Sequence, residues 1–258
     1  LLALIVWTIW GNTALMVNSI TVSGNQIPSE FSGFRIAQIS DLHNAEFGEG
    51  NSHLLNSLSE SKPDMIAITG DLVDAQHTNI DVALSFAEKA VQIAPVYYVT
   101  GNHEASLSQY SELKTGLEAA GVIVLEDKAI QLEHNGGIVT LMGLSDPNFT
   151  IKSNIFDEVP AMISTKLNEL MENKVGYTIL LSHRPELFDT YVSCGVDLVL
   201  SGHAHGGQFR LPLIGGLVAP NQGFFPKYDA GLYTDGGTNM VVSRGLGNSI
   251  IPLRFNNR

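Results

Sequence analysis

The chain has one cysteine, Cys194, among its 258 residues. That excludes an internal disulfide framework and any zinc site built on several thiolates. Cys194 lies in "YVSCGVDLVL", just ahead of an apolar run, and reads as a small core residue. Basic residues are also scarce: 14 Lys and Arg stand against 26 Asp and Glu, a formal charge of −12. A general nucleic-acid binder needs a cationic surface to displace counterions, so no nucleic-acid polymer is expected as a partner. A small phosphate substrate stays compatible, because a metal centre reverses the field around it. Charged residues make up only 16% of the chain and apolar residues 44%, which describes a folded protein. The length suits one large α/β domain or two small ones, and neither internal repeats nor low-complexity tracts occur.

No Lys or Arg falls between Leu1 and Phe34, and "LLALIVWTIWGNTALMV" is almost wholly apolar. Spanning a bilayer takes about 20 such residues. The start at Leu1 rather than Met leads us to expect residues upstream that complete the span. Residues 1–20 are therefore read as a membrane anchor or signal remnant, ahead of a catalytic domain over 21–258. Trp7 and Trp10 suit a membrane interface, while Gly11, Asn12 and Thr13 do not favour a span. The missing basic flank places the following domain on the extracytoplasmic side. The competing reading is an amphipathic or core helix at the domain edge.

What the chain has in abundance is one repeated pattern. A short apolar run, often β-branched, stops abruptly in a polar cluster. "FRIAQIS" runs into Asp41-Leu42-His43, "MIAIT" into Gly70-Asp71, and "VYYVT" into Gly101-Asn102-His103-Glu104. "YTILLS" runs into His183 and "VDLVLS" into Gly202-His203-Ala204-His205. Each run has the length and composition of a buried strand. Residues 51–62, 79–94, 108–121 and 161–174 carry apolar side chains at helical spacing, with Pro63 and Pro95 as stops. This alternation predicts an α/β fold. Residues 122–144 break it and read as successive strands with an "NGG" turn at 135–137. Residues 206–236 are rich in Gly and aromatics, and read either as a wall over the site or as a surface loop packing its own rings.

In open α/β sheets ligands bind beyond the carboxyl ends of the strands. One Asp at a strand end is usually a turn former, but turns have no use for several histidines. Asp41, His43, Asp71, Asn102, His183, His203 and His205 are seven donors, more than one tetrahedral ion needs. Two ions sharing a bridging carboxylate would use them all. The mixture of imidazole, carboxylate and amide suits Mn, Fe or Zn. Paired cations are the usual clamp for in-line displacement at phosphorus by a bridging hydroxide.

In order, "DLH", "GDLVD", "GNHE", a lone "SH" and "GHAH" resemble the signature of the calcineurin-like metallophosphoesterases, over about Phe34 to Gln208. The resemblance implies a four-layer αββα sandwich of two mixed sheets flanked by helices. It places Asp41, His43, Asp71 and His205 on one metal and Asp71, Asn102, His183 and His203 on the other. It makes His103 the general acid or electrostatic stabiliser at the leaving group, oriented by Asp74. "SDLHN", "GHAHGGQFRLP" and "IPLRFNNR" further resemble the bacterial membrane-anchored or exported branch, often treated as phosphodiesterases. In that branch a Pro-Glu and another strand follow, so a C-terminal truncation is expected. Ala75 stands where protein phosphatases of the family carry an arginine, which disfavours that activity.

The expected function is thus binuclear phosphoester hydrolysis, of a diester; nucleotides, phospholipid head groups, envelope polymers and pyrophosphate lipids all carry the needed phosphorus, and the apolar start favours a lipid or cell-envelope substrate. The alternative is a catalytically silent metal-binding envelope module. A metallo-β-lactamase would need an early "HxHxDH" block, which is absent. Asn44 reads as a phosphate contact or a cap, Glu104 as a support behind the site or a helix cap, and Arg184 as a phosphate ligand or a surface ion pair. His53, His77 and His134 read as ordinary histidines away from the site.

Overall fold

The structure, a computed structural model, describes residue 11 and residues 14–151, 158–248 and 254–257. The apolar start expected to form an anchor falls largely outside the described residues, as does half of "IPLRFNNR". Among the described residues no helix is long and apolar enough to cross a membrane.

The strands of the first sheet are β1 (Ile36–Ile39), β2 (Met65–Thr69), β3 (Val96–Val99) and β4 (Ile123–Val124), adjacent in that order and all parallel. Those of the second are β5 (Lys128–His134), β6 (Gly137–Gly143), β7 (Thr178–Leu181) and β8 (Leu198–Ser201), joined later in the chain by two more. Between them come two short ribbons: β9 (Arg210–Leu211) with β10 (Gly215–Gly216), and β11 (Val218–Ala219) with β12 (Gly223–Phe224). The last strands are β13 (Gly231–Asp235) and β14 (Thr238–Val242), and the second sheet runs β13-β14-β8-β7-β6-β5. Its centre is parallel and its two edges are antiparallel hairpins. The expectation of two mixed sheets holds for the second. The first is wholly parallel over its described strands, because β1, β2 and β3 are each joined to the next by a helical crossover rather than a tight turn. The β5–β6 hairpin turns at Asn135-Gly136, where the sequence places it.

The helices are α1 (Ser52–Ser61), α2 (Ile80–Ala90), α3 (Asn102–Ala105), α4 (Tyr110–Ala119), α5 (Val159–Met171) and α6 (Phe188–Ser193). Side-chain alternation along the strands explains the layering. On β2, Met65 and Ala67 point one way and Ile66 and Ile68 the other; on β7, Ile179 and Leu181 oppose Leu180. Met65, Ala67, Tyr97 and Val99 meet Leu141, Ile179, Leu181 and Leu200 in a core between the two sheets. Ile66, Ile68 and Tyr98 pack instead on Leu54, Phe86 and Leu113 of α1, α2 and α4. Leu180, Val199 and Met240 pack on Ile163, Leu167 and Phe188 of α5 and α6. Three apolar cores make four layers, helix–sheet–sheet–helix. Strands buried on both faces are the reason the sequence shows unbroken apolar runs.

One polar link crosses the inter-sheet space. The Gln38 side chain on β1 donates to Thr69 Oγ1 on β2 (3.1 Å) and to the Ser201 carbonyl on β8 (2.8 Å). Close approach of the sheets also needs a missing side chain at Gly143. A Cβ there would overlap Leu125 and reach 2.7 Å from Val99 Cγ1. Gly143→Ala is therefore expected to destabilise the fold by about 1–3 kcal/mol, the usual cost of overpacking. Urea unfolding at a matched m-value checks this.

Candidate active site

Each polar cluster sits directly beyond the carboxyl end of its strand. Parallel pairing within each sheet puts Asp41, Asp71 and Asn102 at one edge of the first and His183 and His203 at one edge of the second. The two edges face each other. Asp71 Oδ2 lies 3.2 Å from His183 Nε2 and 3.7 Å from His43 Nε2, while Asp71 Oδ1 accepts the His103 amide at 2.8 Å. One carboxylate oxygen is thus shared between two groups of donors.

The first group is Asp41, His43, Asp71 and His205, with donor atoms all within 4.8 Å of one another. His205 Nε2 is 3.4 Å from Asp41 Oδ1, and the His43 and His205 rings lie 5.0 Å apart. The second group is Asp71, His183 and His203. His183 Nε2 is 3.1 Å from His203 Nδ1 and 3.2 Å from Asn102 Oδ1, so the amide joins this group. Nitrogen and oxygen ligands at roughly 2.0–2.2 Å from an ion stand about 3.0–3.5 Å from each other. Most of the separations just given fall in that range. Both ring nitrogens of buried His43, and Nδ1 of buried His205, have no hydrogen-bond partner among the described residues. Buried imidazoles without partners are costly unless something fills the space between them. The donor set fits divalent metal ions.

The backbone carries strain to achieve this. Asp41, His43, Asp71, His203 and His205 all have φ between 47° and 64°. Left-handed conformations in non-glycine residues cost roughly 1–2 kcal/mol each and gather at functional sites. Two glycines make room. A Cβ at Gly70 would come within 2.7 Å of both Gly101 N and His183 Nδ1, and one at Gly202 would overlap Ser40 Oγ.

Hydrogen bonds behind the donors fix their orientation. His183 Nδ1 donates to the Thr69 carbonyl at 2.8 Å, leaving Nε2 for the centre. The Glu104 carboxylate accepts from the amides of Gly101 (2.7 Å), Asp71 (2.9 Å) and Leu72 (2.8 Å). It is more than a helix cap: it ties the loop of Asp71 to that of Asn102. Burial, and then the nearby Asp71 charge, raise its pKa to about 7. Burial lowers the His43 pKa to about 4, against the pull of Asp71. Burial also works to lower His183, but the Asp71 charge and hydrogen bond outweigh it and raise the pKa to about 10. Asp71 is held well below the carboxylate range, burial being overcome by His183.

His103 lies beside the first group, its ring 4.4 Å from that of His43. Its Nδ1 accepts from the Ala75 amide at 3.1 Å, so in the neutral ring the proton is on Nε2. Asp74 makes no hydrogen bond to His103 among those described. Its Oδ1 accepts from the amides of Gln76 (2.7 Å) and His77 (2.9 Å), capping the turn that presents the Ala75 amide. Its Oδ2 is 3.8 Å from His43 Nδ1. Asp74 thus acts on His103 through that turn and through its charge, with donor atoms of Asp74, His43 and His103 all within 4.8 Å of one another.

Arg184 is neither a surface ion pair nor open to solvent. It is buried, and its Nε and Nη2 form a fork on Asp146 at 2.5 and 3.0 Å. Asp146 lies just beyond β6, a sixth occurrence of the strand-end pattern and the signal that could have found it. Asn44 donates to the His77 carbonyl at 2.7 Å. His53 and His77 are exposed, and His134 packs on Phe31 and Phe34. The 206–236 segment does two things. Tyr228 and Tyr233 pack inward, while Asn221 reaches His203. Asn257 Nδ2 donates to the His205 carbonyl at 2.6 Å, a latch on the same loop. Nothing in the local sequence marks either Asn221 or Asn257.

Residues 34–207 match the model of the family described as calcineurin-like phosphoesterase. The uncharacterized metallophosphoesterase YkuE of Bacillus subtilis (strain 168) is 30% identical over 91% of this chain and 79% of its own length. The phosphodiesterase YaeI of Escherichia coli (strain K12) is 29% identical over 87% of this chain and 79% of its own. Among solved structures, TT1561 of Thermus thermophilus superposes with a TM-score of 0.57 at 16% identity, over 83% of this chain and 90% of that one. The fold, the donor cluster and these likenesses agree: the chain belongs to the calcineurin-like phosphoesterase family.

Proposed function

We propose that the chain is a two-metal phosphodiesterase. The observation that carries this reading is the position of Asp71 Oδ2 between two donor groups, 3.2 Å from His183 Nε2 and 3.7 Å from His43 Nε2. Asp41, His43 and His205 would hold one ion, and Asn102, His183 and His203 the other, with Asp71 common to both. When bound, such a pair supplies a water nucleophile at neutral pH and positive charge for the phosphoryl oxygens. Mn, Fe and Zn all suit the donors.

The chain's own groups divide the remaining work. His103, with Nδ1 engaged by the Ala75 amide, presents a neutral Nε2–H. That N–H donates a hydrogen bond to the leaving-group oxygen and stabilises the charge developing there as the ester bond breaks, while the proton the alkoxide finally takes up comes from solvent. Asp74 keeps the turn that grips His103. Arg184 is turned from substrate by its fork on Asp146. Preference for a diester is supported by the likeness to the phosphodiesterase YaeI. The apolar segment over residues 1–20 supports membrane association with the domain outside the cytoplasm, and a substrate from lipid or the envelope. A silent metal-binding module is the other reading, and activity separates the two.

His103→Ala is expected to keep its full metal content while kcat on bis(p-nitrophenyl) phosphate falls about 10²–10⁴-fold. Elemental analysis alongside steady-state kinetics checks both halves. An equal rate in wild type and variant rejects the assignment of His103, and no turnover in wild type on any phosphate ester favours the silent module.

The Asp71–His183 pair sets a pH dependence. His183 is raised from 6.5 to about 10 without metal, so it carries a proton at pH 7 that an ion must displace. Affinity for Mn²⁺ should therefore rise with pH, by up to tenfold per unit, and level off above about 10. By the same linkage, the contribution of His183 to the stability of metal-free protein is complete below 6.5 and lost as pH climbs through about 10, while that of Asp71, whose pKa is lowered, is lost in acid. Calorimetric titration in buffers of different ionisation enthalpy counts the released protons.

A further inference from the structure

Asn221 stands at the tip of the second ribbon, between β11 and β12, and is exposed there. Its side chain nevertheless turns inward. Its Oδ1 lies 2.7 Å from His203 Nε2 and 2.7 Å from Arg184 Nη1. Arg184 is always a donor, so the atom facing it must be the amide oxygen. A flipped amide would set NH₂ against guanidinium N–H and leave both without an acceptor. The same oxygen therefore accepts from His203, which requires the proton of that ring on Nε2. His203 Nδ1 is then a bare lone pair, and it is the atom 3.1 Å from His183 Nε2 within the second donor group.

Arg184 Nη1 also lies 3.1 Å from His203 Nε2 and could donate to it if that nitrogen were bare, which would fix the opposite tautomer. A bare Nε2 would then set its lone pair against the Asn221 oxygen at 2.7 Å, so both donors share that oxygen as acceptor instead. Arg184 cannot swing away, because Asp146 grips it twice and both residues are buried. Asn221 supplies that acceptor, and it adopts φ 58° in doing so, a conformation asparagine tolerates better than most residues.

We propose that Asn221 is a positioning residue: its amide oxygen, inserted between Arg184 and His203, locks His203 in the tautomer that presents Nδ1 to a metal ion. This deepens the two-metal reading and rests on it. It also assigns the wall-forming stretch over residues 206–236 a part in assembling the centre, through the inner tip of one ribbon. Partners behind a metal-binding histidine typically change affinity 10–100-fold when removed.

Two variants of the full chain test this. Asn221→Gly deletes the acceptor and fits the positive φ without strain, so the turn survives. Asn221→Asp keeps an acceptor in the same place. Mn²⁺ affinity is expected to fall about 10–100-fold in Asn221→Gly and to stay within a few-fold of wild type in Asn221→Asp. Nitrogen-15 spectra of the metal-free protein should show His203 as a single Nε2–H tautomer in wild type and as a mixture in Asn221→Gly. Unchanged affinity and an unchanged His203 signal in Asn221→Gly would overturn the proposal. Wild-type protein that takes up no Mn²⁺ would instead sink the metal reading, and the tautomer spectra would still decide what Asn221 does.

Discussion

Everything at the site depends on where Asp71 is held. Its carboxylate is buried, touches imidazoles from both sheets, and is fixed from behind by the His103 amide. An isolated carboxylate in such a place would be neutralised by protonation. It stays charged because His183 holds a proton against it, and that same proton occupies the room a cation would use. The Asp71–His183 pair is thus a stand-in for metal, and the two are alternatives at one locus.

Holding Asp71 there shapes its surroundings. The turn after β2 must double back, so Gly70 and Asp71 both take positive φ. The space above it is so tight that neither Gly70 nor Gly101 could carry a side chain. Glu104 then gathers the amides of Asp71, Leu72, Val73 and Gly101 on one carboxylate, linking the ends of β2 and β3. Strain in the loops is offset by the sandwich below, whose three cores are predominantly apolar and far more extensive.

How much of this the amino-acid order reveals follows from range. Strands buried on both faces read as continuous apolar runs, so all five site-bearing strand ends were legible, along with the four long helices to within a few residues. The Asn135-Gly136 turn was legible too, because a tight hairpin needs positive φ there. The parallel character of the first sheet was not, since strand direction depends on crossovers rather than composition. What Glu104, Asp146 and Asn221 do is not readable for one shared reason: each acts on a partner between 18 and 38 positions away, and no local periodicity records that. Arg184 was visible as a residue, but its fork on Asp146 is a tertiary fact.

The distribution of donors between the sheets has a consequence for how the molecule comes together. Asp41, His43, Asp71 and Asn102 arrive with the first half of the chain, and His183, His203 and His205 with the second. Gln38 is a small pin between the halves. A captured cation would be a larger rivet, closing only when both halves have docked in register. Each donor group draws on both halves, so the complete set of ligands for either cation exists only in the assembled sandwich.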